Sequence, residues 1–118
     1  MALLTHAQRD ALLDNGRRQS LLKGTADELD FSPVVKLFLP GGGATWLLTE
    51  LDPDEPDLAF GLCDLGMGFP ELGYVDLAEI ESVAGPLGLA VEVDAVFRAT
   101  MTLSAYAADA RRYGAIRA

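Results

Sequence analysis

The sequence predicts an α+β domain: an antiparallel sheet of five or six strands packed with two to three helices, in the order α-β-β-β-β-α-β-(β)-α. Three observations predict it. Four runs rich in Val, Leu, Phe and Trp lie between Val34 and Val75, separated by turns of Gly, Pro and Asp. The turns are short, and short loops demand antiparallel pairing because a parallel crossover needs a dozen residues or more. Capped, helix-periodic segments stand at both ends of the chain and once in its second half. One face of the twisted sheet is expected against the helices.

The first helix is predicted over residues 5–23. Thr5 and Gln8 have capping-box spacing. Asn15-Gly16 marks an expected end or kink, and Gly24 a stop. Residues 34–39 and 44–51 are β-branched and aromatic strands joined by Pro40-Gly41-Gly42-Gly43. Asp52 to Asp57 is a polar, proline-bounded turn before the strand Leu58–Cys63, whose Phe60 and Leu62 share a face. The loop Asp64 to Pro70 leads to the strand Glu71–Val75. Asp76 and Glu79 repeat the capping-box spacing before Leu77, Ile80 and Val83, and Gly85-Pro86 ends that helix. Residues 89–93 form a fifth strand, and residues 94–100 extend it or turn into a sixth. The last helix, 105–113, is expected to be capped by Ser104 or Thr102, with Arg111 and Arg112 complementing its dipole before Gly114.

The length of 118 residues fits one domain spanning the whole chain. Half of the residues are hydrophobic, enough for a real core and too many for a disordered chain. No apolar run reaches the ~18 residues of a membrane span. The first residues lack the basic start and apolar run of a signal peptide. Cys63 is alone, which fits a reducing compartment. A cytoplasmic location follows as the expectation. The net charge of −9 argues against direct nucleic-acid binding. That acid is concentrated: residues 37–97 hold twelve carboxylates and no Lys or Arg.

No motif implies a metal, a cofactor or a catalytic residue. Gly66-x-Gly68 leads into a strand, whereas a dinucleotide fingerprint opens a helix. Gly41-Gly42-Gly43 joins two strands, so no helix dipole stands behind its amides. The Asp52–Asp57 run lacks the central glycine and distal glutamate of a calcium loop. His6 reads as a surface residue, Cys63 as a small buried hydrophobe, and Trp46 as core or partner surface. Arg111, Arg112 and Arg117 are too few for a nucleic-acid site, and read as balancing the sheet's acid, within the fold or between subunits. The sharpest candidate is the loop between Asp64 and Glu71, which carries Met67 and Phe69. Apolar residues on a loop tip suggest a contact surface. Two carboxylates facing one cleft would instead support acid–base or metal chemistry.

The motifs ATWLLTELDP, FGLCDLGMGFPELGYV and GPLGL, with an opening THAQRDALLDNGRR and a closing LSAYAADARRYG, resemble the DUF2958 family over nearly the whole chain. The family consists of bacterial proteins of unknown function. The resemblance implies a setting on plasmids and other mobile elements, beside genes for DNA processing and anti-restriction. It carries no activity and no catalytic residue. The segment VEVDAVFRATM departs from the family's usual, more polar pattern there.

Three functions follow as expectations. The first is a non-enzymatic accessory domain that binds another protein, one with a basic surface, through Asp64, Met67, Phe69 and Glu71. A DNA mimic of anti-restriction type is its acidic variant, since an acidic face attracts basic clefts. The second is a small metal-dependent hydrolase that uses Asp64, Glu71 and the Asp52–Asp57 turn. The third, direct DNA binding through the arginine-bearing ends, is weakest on charge.

Overall fold

A computed structural model describes residues 3–118. Helix α1 spans His6–Ser20. The expected capping box closes it: Gln8 N–H donates to Thr5 Oγ1 at 3.1 Å, and Thr5 N–H donates to Gln8 Oε1 at 3.0 Å. The kink expected at Asn15-Gly16 does not occur, and the helix continues through both residues. Gly16 faces β2 so closely that a Cβ there would stand 1.8 Å from the Leu51 carbonyl oxygen. Its glycine serves a helix–strand contact, and Asn15 secures that contact by donating Nδ2–H to the Thr49 carbonyl at 2.9 Å.

Five strands follow: β1 Val35–Phe38, β2 Thr45–Leu51, β3 Leu58–Asp64, β4 Glu71–Asp76 and β5 Glu92–Val93. Helix α2 spans Leu77–Ser82, a 3₁₀ turn Pro86–Gly88, and helix α3 Leu103–Tyr113. The sheet order is β4-β3-β2-β1-β5, and every neighbouring pair is antiparallel. The α+β class and the element order agree with the sequence. The optional sixth strand does not form. Asp94 instead starts an Asx turn, with Val96 N–H on its Oδ1 at 3.0 Å, and the apolar side chains of Phe97, Ala99 and Met101 line the core beside α3.

The helices cover both faces of the sheet, not one. On the first face Val35, Leu37, Trp46, Leu48, Leu51 and Ala59 pack with Leu12 of α1 and with Leu77 and Ile80 of α2. On the second, Leu47 and Leu62 pack with Leu103, Tyr106, Ala107 and Ala110 of α3. β2 is consequently buried from Trp46 to Leu51. A strand between two helical layers reads as a continuous apolar run, which is why Trp46-Leu47-Leu48 does not alternate.

The cap of α2 agrees with expectation and that of α3 differs. Asp76 caps α2 by accepting from Ala78 N–H at 2.8 Å. Thr102 stands at the N-cap of α3 without a side-chain cap bond. Asp30 does that work from 74 residues away, accepting from the Ser104 amide at 3.1 Å and from the Ser104 hydroxyl. The segment between α1 and β1 thereby ties the two helical layers together around the sheet. Gly114 closes α3 in the left-handed conformation, at φ 79°.

Candidate functional site

The loop from β3 to β4 holds the four residues that the sequence singled out. Asp64 ends β3 and is 2% exposed. Its Oδ1 accepts from Gly66 N–H at 2.8 Å, and its Oδ2 from Ile116 N–H at 2.9 Å. Both oxygens are therefore spent on backbone, one holding the loop and the other docking the segment after α3. Glu71 begins β4 directly opposite Cys63. Paired residues share a face and successive residues alternate. Glu71 consequently shares its face with Cys63, while Asp64 points to the other. The two carboxylates are not brought to one cleft. Burial, with the Glu71 carboxylate adding to it, pushes the Cys63 thiol up to about 11, so this cysteine is held as an uncharged thiol.

The apolar residues of the loop face water. Leu65, Met67 and Phe69 are 58%, 69% and 80% exposed. With Cys63 and Glu71 they line a cavity of about 210 Å³. Gly66 and Gly68 adopt left-handed backbone at φ 81° and 85°, which a side chain would strain. The two glycine turns also touch: a Cβ on Gly66 would lie 3.1 Å from the Gly43 Cα. Left-handed backbone at Gly41, Gly66 and Gly68 and the close approach of Gly43 to Gly66 account for these glycines.

The other candidates take structural places. Asp52 Oδ1 accepts from the Asp54 and Glu55 amides at 2.8 and 3.3 Å, and Asp57 pairs with Arg9 of α1 at 2.6 Å. His6 is exposed, and Trp46 lies in the core. Arg117 pairs with Asp109 of α3 at 2.8 Å and stacks on Tyr113, instead of balancing acid from the sheet.

A second constellation escaped the sequence reading. Glu50, Phe60 and Tyr74 are directly opposed on β2, β3 and β4, so they form one row across the sheet. Phe60 and Tyr74 meet edge to face, with ring centres 5.0 Å apart. The Lys23 ammonium stands 4.0 Å from the centre of the Tyr74 ring and 5.6 Å from that of Phe60. A β-bulge between Leu48 and Glu50 creates the row. With unbroken pairing Glu50 would lie opposite Ala59 and enter the first-face core; the bulge moves it beside Phe60 and returns Leu51 to the core. Strict alternation from Trp46 and Leu48 puts an acid on the core face, and that conflict was the available signal.

Glu50 is only 8% exposed. Burial raises its pKa above the usual carboxylate value, with Lys23 and the Gln19 amide offsetting part of the effect and Glu28 and Asp52 adding to it. Among the described residues no ion pair within 4 Å reaches it; the Gln19 amide nitrogen donates one hydrogen to the Leu29 carbonyl at 2.7 Å and has a second for Glu50. Two adjoining cavities of about 170 and 110 Å³ meet at Gln19, Lys23 and Glu50. Asp52, Asp54 and Tyr74 line the first, and Glu28, Asp30, Phe60 and Leu72 the second.

Fold and surface together define a small three-layer α+β domain with an apolar loop on display and an acidic, aromatic groove. A family model described as "Protein of unknown function (DUF2958)" matches residues 3–117, and the chain belongs to that family. No curated protein matches the chain. No solved structure matches it. Among the described residues no helix is long and apolar enough to cross a membrane.

Proposed function

We propose that this domain is a non-enzymatic accessory protein that works by binding another protein. The observation that carries the reading is the exposure of Leu65, Met67 and Phe69 on one short loop. Grouped apolar side chains gain free energy when a partner covers them. Asp64 restrains the start of the loop through its bond from Gly66 N–H, which lowers the entropy lost on binding. Glu71 at the rim and the net charge of −9 favour a partner with a basic surface, by speeding and orienting encounter. Mimicry of DNA toward a basic cleft is a second reading, favoured by the acid of residues 37–97. The proposal includes the mobile-element setting that the family resemblance implies, and a cytoplasmic site of action in keeping with the single cysteine.

The test is affinity capture from a lysate of the source bacterium at low and high salt, with the wild type beside a Met67→Asp/Phe69→Asp double variant. The expected result is a discrete partner, held more weakly at high salt and lost by the double variant. Capture of the same proteins by both forms, or of none at any salt, would overturn the proposal.

A further inference from the structure

The Glu50–Phe60–Tyr74 row places a carboxylate beside two aromatic rings across the sheet. A core position would be better filled by an apolar residue, because a buried carboxylate without a paired cation costs stability. The chain instead spends a β-bulge to hold Glu50 at the floor of a groove. Two independent features then describe what the groove accepts. Glu50 is nine-tenths buried, lacks an ion-pair partner among the described residues, and lines both cavities. A cation already lies on the aromatic side of the row: the Lys23 ammonium, 4.0 Å from the Tyr74 ring centre. Lys23 stands on an exposed turn after α1, so its side chain can leave without disturbing a helix or strand.

We infer that this groove receives an arginine side chain of a basic protein partner, whose guanidinium stacks on Tyr74 and pairs with Glu50 as Lys23 moves aside. Arginine suits it better than lysine. Its planar guanidinium stacks on an aromatic face and makes two parallel hydrogen bonds to one carboxylate, whereas an ammonium is a compact and more strongly hydrated charge. Glu28, Asp52 and Asp54 around the groove add attraction for a cation and repel an anion. Lys23 acts as a placeholder that covers the aromatic side of the site while the partner is absent. Displacing it costs the cation–π contacts with Tyr74 and Phe60, so its removal should strengthen binding.

The inference rests on the protein-binding reading above, but on a different surface, and the two fail separately. The probe is a hexa-arginine peptide, with hexa-lysine for comparison, titrated into the full chain by calorimetry and followed by backbone amide shifts. Glu50→Gln and Tyr74→Leu should each weaken hexa-arginine binding about tenfold, the loss of one such contact in a partly desolvated site. Glu81→Gln, which removes the same charge from α2, should change it less than twofold, as expected of an exposed charge. Lys23→Ala should tighten it, hexa-arginine should bind more tightly than hexa-lysine, and the largest shifts should fall on Phe60, Gly73 and Tyr74. Equal losses for Glu50→Gln and Glu81→Gln, or shifts spread evenly over the acidic residues, would overturn the inference and leave only diffuse attraction to an acidic protein. A melting curve of each variant guards against misfolding. The Met67→Asp/Phe69→Asp variant should bind the peptide as the wild type does; loss of lysate capture there with peptide binding intact separates the loop from the groove.

Discussion

The Asp64 carboxylate accepts a hydrogen bond of 2.9 Å from the Ile116 amide, joining the end of β3 to the segment after α3 across 52 residues. Its other oxygen holds Gly66. One buried side chain thus shapes the displayed loop and docks the chain beyond the last helix. Replacing it with alanine leaves two amides without their acceptor. Asp64→Ala is expected to cost about 3 kcal/mol, since bonds to a charged group are the stronger kind. The melting temperature should fall by roughly 10 °C. Thermal unfolding followed by circular dichroism checks this, and an unchanged melting temperature would contradict the clamp.

Gly16→Ala offers a test with opposing expectations. Helix propensity alone favours alanine by about 1 kcal/mol. Packing opposes it, because the added methyl would fall 1.8 Å from the Leu51 carbonyl oxygen, which is backbone and cannot swing away. Relief requires α1 to back off β2 and the Asn15 bond to Thr49 to stretch. Overpacking of this kind costs about 1–3 kcal/mol, so net destabilisation is expected in urea titration. A more stable variant would mean that the helix lifts freely.

Local signals were legible and distant ones were not. The Thr5–Gln8 box, the hairpins and the Gly114 stop are each set within a few residues, and the sequence reading located all of them. Gly16 reads as a helix end or kink because its reason lies on a strand 35 residues later. The sequence offers Ser104 or Thr102 as the cap of α3; Thr102 takes the position, but the capping oxygen is that of Asp30, which holds Ser104. The second helical face was hinted at only by Leu47 beside Leu48 in β2. In the candidate site, Met67 and Phe69 were found because apolar residues between glycines stand out in a sequence. Glu50 was not, because its place depends on a bulge that only pairing with β3 reveals.

The Asp30–Ser104 bond predicts a pH effect. Burial alone would raise the Asp30 pKa; the Ser104 hydroxyl and amide, with the Thr102 hydroxyl, outweigh it and hold the carboxyl below its usual value of 3.8. A depressed folded pKa means that the charged form favours folding. Its contribution is complete above 3.8 and disappears as pH falls through the lower folded value. Asp30→Ala should lose about 1 kcal/mol at pH 7, the usual worth of a helix cap. Its deficit should shrink in acid, as both proteins lose the charged cap. A deficit that stays constant from pH 7 to pH 2 would show that the cap does not depend on charge.

Cys63 should be slow to react. With its thiol raised to about 11 by burial and Glu71, the thiolate is scarce near neutrality. Only the thiolate attacks alkylating agents, so iodoacetamide at pH 8 should modify the folded protein at least roughly 100-fold more slowly than the denatured chain. Glu71→Gln removes the repulsion and leaves the burial, so it should speed modification only in part. Full reactivity of native Cys63 would require the cavity beside Met67 and Phe69 to open.

Glu50 predicts the reverse pH dependence to Asp30. Burial raises its folded pKa above the ordinary 4.5, and Glu28 and Asp52 push the same way against Lys23. A raised carboxyl pKa means that the folded state holds a proton which the unfolded chain has released. Stability is therefore fully present below 4.5 and is lost as pH rises through the folded value. At pH 7 the ionised side chain is a net cost, so Glu50→Gln should melt a few degrees higher than the wild type, the scale of about 1 kcal/mol in a domain of this size. The gap should narrow as pH falls toward 4.5, where Glu50 protonates in both states. Melting curves across pH 4–8 check this. A Glu50→Gln protein less stable at neutral pH would mean that Lys23 already compensates the charge in full, and the groove would have nothing left to offer an incoming cation.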